Sequence, residues 1–70
     1  MYFVITDNIK NQRWAYGDIK GNNPSLADIC NYLVSSTKSP EIFTVTFFNT
    51  EKIIEKVSLL DYVKRISSLL

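Results

Sequence analysis

The chain has 70 residues, enough for one small domain close to the lower limit for folding without disulfides or metals. A hydrophobic fraction of 46% with 13% aromatics can build a core and argues against disorder, while a formal charge of +1 argues against a protein whose main task is gripping phosphate backbones. A single Cys rules out an intramolecular disulfide, and the lack of any His removes the commonest general base and metal ligand together.

The opening "MYFVITDNIK" lacks a basic leader, and its apolar run is too short for a signal peptide or a membrane span. The expectation is a soluble cytoplasmic protein with no membrane contact. Within that opening, Tyr2 to Thr6 is a β-branched and apolar run bounded by Asp7 and Asn8, which predicts a strand. Asp7 to Asn11 supply turn residues. Gln12 to Ile19, "QRWAYGDI", alternates loosely and predicts a returning strand, with Gly17 marking a bulge or the close approach of a neighbouring element. "KGNNP" is then a loop.

From Ser25 the period changes to helical. Leu26, Ile29, Cys30 and Leu33 fall at i, i+3, i+4 and i+7, and Ser25 with Asp28 makes a start resembling a capping box. Asn23 followed by Pro24 offers a competing start two residues earlier. "SSTKSP" ends the helix, because the residue before Pro40 is pushed out of the α region.

Glu41 to Phe48 reads as the clearest strand, with Phe43, Val45 and Phe47 on one face and Thr44 and Thr46 on the other. Asn49 to Glu51 turn the chain, and Lys52 to Val57 return. Neither face of that return strand is wholly apolar, so its facing stays open. Ser58 caps a final helix whose stripe is Leu59, Tyr62, Val63, Ile66, Leu69 and Leu70. Asp61 is placed to pair with Lys64 or Arg65.

"SLAD" at Ser25 to Asp28 nearly recurs as "SLLD" at Ser58 to Asp61. The chain therefore reads as two ββα halves, 1–36 and 41–70, of one α+β domain spanning 1–70. One such half is too small to bury its own apolar face, whereas two side by side make a four-stranded antiparallel sheet with both helices on one face. The expectation is a two-layer ββαββα fold in which the two halves are related by a pseudo-two-fold repeat. Leu26, Ile29 and Leu33 are expected to meet Leu59, Val63 and Ile66 over Phe43, Val45 and Phe47.

No catalytic motif is present. Gly17 and Gly21 are not followed by a Lys-Ser or Lys-Thr pair, so a phosphate-binding loop is unsupported. Cys30 sits on an apolar stripe with no His to activate it, and reads as a small buried hydrophobe. Asp28 and Asp61 read as helix caps rather than as paired catalytic carboxylates. The chain is expected to need no cofactor or metal and not to be an enzyme.

Binding then rests on the aromatics. If Phe3 and Ile5 point at the helices, Tyr2 and Val4 point away, and Trp14 and Tyr16 stand beside them on the open face. The competing arrangement buries Trp14 and Tyr16 under the helices, and the weak alternation leaves both open. An open face bearing Trp14, Tyr16 and Tyr2, edged by Arg13 and Lys10, suits recognition of a larger protein, because aromatics and Arg dominate binding hot spots. The same aromatics could stack bases, with Lys10, Arg13, Lys20, Lys52 and Lys56 lining the surface, which makes nucleic acid the alternative partner. A third reading pairs the open face or an edge strand with a second copy, as a homodimer. In size, aromatic content and lack of catalytic parts, the chain resembles in general character the small inhibitors of phages and mobile elements, such as anti-CRISPR proteins and antitoxins. It shares no motif with them.

Overall fold

A computed structural model describes residues 1–67. Leu69 and Leu70, expected on the last helical stripe, lie outside those residues. The elements run β1 (Tyr2–Asp7), β2 (Gln12–Asp18), α1 (Leu26–Ser36), β3 (Phe43–Phe48), β4 (Ile53–Ser58) and α2 (Leu59–Ser67). The strands form one antiparallel sheet in the order β2-β1-β3-β4, so this is the expected α+β ββαββα architecture.

Both halves are built by the same local chemistry. In each hairpin an Asx side chain closes the turn: Asp7 Oδ1 accepts the backbone N–H groups of Ile9 and Lys10, and Asn49 Oδ1 accepts those of Glu51 and Lys52. Asn11 completes the first turn at φ 54°, a left-handed conformation that Asn tolerates better than most residues. Each helix starts on its repeated Ser. Ser25 Oγ accepts from the Asp28 N–H and Ser58 Oγ from the Asp61 N–H, both at 3.2 Å. Ser25 therefore wins over Asn23 as the cap, and Pro24 belongs to the preceding loop, after a cis Asn23–Pro24 peptide bond.

The sheet's two central strands carry the core. Phe3 lies opposite Phe47, and Ile5 opposite Val45. With Phe43 they are buried beneath Leu26, Cys30 and Leu33 of α1 and Leu59 of α2, while Ile29, Tyr62 and Val63 pack at the margin. Leu59 is the anchor of the last helix, at 0% exposure, whereas Ile66 is only half-buried. The reason is geometric. β4 passes into α2 without a loop, so the first residue of the helix is held directly under the sheet.

Two local expectations change and a third is specified. The strand expected from Glu41 begins at Phe43, because Pro40–Ile42 form a 3₁₀ turn with Pro40 at its start. Arg65, expected to pair within its helix, reaches back to β4 and holds Glu55 through two hydrogen bonds of 3.0 and 3.1 Å. The close approach expected at Gly17 comes from the loop that follows β2. A Cβ there would collide with Asn22 Oδ1 and stand 3.3 Å from the Phe3 ring.

Leu59→Ala removes a fully buried side chain and should cost about 2 to 5 kcal/mol. That approaches the roughly 3 to 5 kcal/mol a core this small supplies. Urea unfolding should therefore find Leu59→Ala largely unfolded, while Ile66→Ala keeps a cooperative transition. Equal midpoints for the two variants would contradict this docking of α2.

Candidate interaction site

The helices cover one face of the sheet, and among the described residues the other carries no second layer. Register assigns its residues. Tyr2 is opposite Asp18 and Phe48, Val4 opposite Tyr16 and Thr46, and Thr6 opposite Arg13 and Thr44. Tyr2, Tyr16 and Arg13 therefore share the open face. The Arg13 guanidinium lies 4.2 Å from the centre of the Tyr16 ring, a cation–π contact, and Tyr16 is 64% exposed. The rings of Tyr2 and Phe48 meet at 5.8 Å. Together with Tyr16 and Gly17 they border a shallow depression of about 570 Å³.

Trp14 is not on this face. Ile5 pairs with Ala15 and Thr6 with Arg13, leaving Trp14 as the extra residue of a β-bulge. The bulge turns its indole to the helix side, against Tyr32 of α1 at 6.5 Å and Phe43 at 6.4 Å between ring centres. Trp14 is not buried there either, at 45% exposure. Lys10 joins Trp14 in lining a second depression there. The five residues singled out from the sequence thus divide between two surfaces: Tyr2, Arg13 and Tyr16 on the open sheet, Lys10 and Trp14 at the end of α1.

A matching irregularity lies in the second hairpin. Phe47 pairs with Glu55 and Phe48 with Ile53, so Ile54 is extra and Ile53 faces the open side beside Phe48. Ile53 is 57% exposed. Sequence reasoning missed it, as it missed Phe48 and Tyr32. Tyr32 lies off the apolar stripe of α1, and an aromatic on a helix's polar side was the available signal.

The charges on the open face are few. Arg13 and Lys56 point there with Asp18, whereas Lys20 and Lys52 lie in the loops outside β2 and β4. Among the described residues, no group of three or more Cys, Asp and Glu is placed to hold a metal ion, and no helix is long and apolar enough to cross a membrane. Arg65's hydrogen bonds hold the Glu55 carboxyl below its ordinary value, though both side chains are solvated and such a pair adds little stability. Comparison with protein families, with curated proteins and with solved structures finds no match.

Cys30 is fully buried, and desolvation pushes its thiol up from 9.0 to about 12. The unfolded chain ionises this thiol first, so the stability it contributes is whole below pH 9 and is lost as pH rises toward 12. Stability should fall by up to about 1.4 kcal/mol per pH unit across that window on this account alone. Denaturant midpoints measured against pH should show this fall, and Cys30→Ala should flatten it. An unchanged slope in the variant would show that Cys30 is accessible as thiolate in the folded protein.

Proposed function

We propose that this chain is a non-enzymatic binding module that covers, and so blocks, a surface of a larger protein with its open sheet face. The carrying observation is that the two-layer fold leaves Tyr2, Tyr16 and Ile53 exposed beside a half-buried Phe48 on one side of the sheet, with Arg13 stacked on Tyr16. Exposed clusters of this composition favour partner docking, because Tyr and Arg bury large contact areas at low entropic cost. An inhibitor of this kind would be anti-CRISPR- or antitoxin-like in general character. A cytoplasmic setting agrees with its single, buried, unpaired Cys30.

Base stacking has less support, since the open face offers Arg13 and Lys56 against Asp18, a net of one positive charge. Phosphate binding of useful strength draws on several cations.

The test uses the protein and its Arg13→Ala/Tyr16→Ala variant as baits in extract of the native host. The wild type should retain a protein that the variant loses, at equal melting temperature and circular dichroism. Identical capture by both would remove the open face from the interaction. Salt-sensitive binding of oligonucleotides by the wild type would transfer the face to nucleic acid, and a dimer in sedimentation would assign it to a second copy.

A further inference from the structure

The second depression, about 530 Å³, lies on the helix side of the sheet, where α1 ends and the first hairpin turns. Trp14 stands between two other rings there: Tyr32, with 26° between planes, and Phe43, edge-on at 72°. Leu33 and Ile42 add aliphatic lining. The walls remain wet, for Tyr32 is 62% exposed and Trp14 45%. A solvated cluster of this kind gains free energy when an apolar side chain displaces its water.

Charge narrows the choice of occupant. Lys10 and Lys38 both line the depression, and among the described residues neither ammonium forms an ion pair. Several electronegative atoms nearby already have partners. Asp7 Oδ1 accepts two backbone N–H groups of its own turn, each at 3.0 Å. At the end of α1, the Leu33 carbonyl accepts the Thr37 N–H and the Tyr32 carbonyl accepts the Ser35 hydroxyl. Two lysines against the Asp7 carboxylate leave a net charge of 2 − 1 = +1 around an aromatic cleft.

We propose that this cleft binds an acidic peptide segment, which seats one aromatic or long aliphatic side chain against Trp14, Tyr32 and Phe43 and sets its carboxylates on Lys10 and Lys38. A nucleic-acid strand fits less well. Two lysines neutralise about two phosphates, fewer than strong binding of a strand draws on. The site is separate from the open sheet face, so its occupancy does not depend on that face.

Trp14 is the only Trp in the chain, so its fluorescence reports this cleft. The probe is a capped pentapeptide with one phenylalanine flanked on each side by two glutamates. It should change Trp14 emission saturably at low salt. Lys10→Glu combined with Lys38→Glu, both at exposed positions, should weaken the interaction by roughly tenfold or more. Tyr16→Ala, on the other face, should leave it unchanged. A peptide with lysines in place of the glutamates should give no response. Absence of any saturable change, equal binding of the basic peptide, or tighter binding of a thymidine oligonucleotide than of the acidic peptide would each overturn the proposal. Unaltered affinity in the double lysine variant would do so as well.

Discussion

The contact of Phe3 and Ile5 with Phe47 and Val45, across the β1–β3 junction, is the interaction on which the rest of this molecule depends. Each hairpin with its helix has one apolar face and too little chain to bury it. Placing β1 beside β3 puts the most apolar strands of both halves at the centre and leaves β2 and β4 at the edges. The two helices then close over a single shared core. Among the described residues the other face of the sheet has no cover, because both helices lie on the same side.

The bulges decide what those faces display. A strand alternates with period two, and one extra residue moves everything beyond it to the other side. In β2 the extra residue takes Trp14 away from Tyr16 and delivers it to Tyr32 and Phe43. In β4 it lets Glu55 point toward α2, where Arg65 meets it, while Ile53 joins Phe48 on the open side. Two surfaces result where a regular sheet would have had one.

Much of the fold is legible in the sequence for plain physical reasons. The alternation in "FTVTFF" and the compact run "YFVIT" identify the central strands, and the Ser-x-x-Asp starts identify both helices. The bulges are not legible, because nothing in the pattern "QRWAYGDI" says where an extra residue is inserted, and the facing of Trp14 depends on that alone. The docking of α2 is partly hidden for a related reason. A helical stripe names Leu59, Val63 and Ile66 as equals, but only the direct β4–α2 junction makes Leu59 the most deeply buried of them. The loop residue over Gly17 is likewise set by the path of the chain after β2, which no periodicity encodes.

Proton–proton contacts measured by NMR test directly whether the aromatics divide between two surfaces. Contacts are expected from the Trp14 indole to the rings of Tyr32 and Phe43, and from the Tyr16 ring to the methyl groups of Val4. Contacts from Trp14 to Val4, with none to Tyr32, would mean an unbulged strand and one continuous aromatic face, and would contradict it.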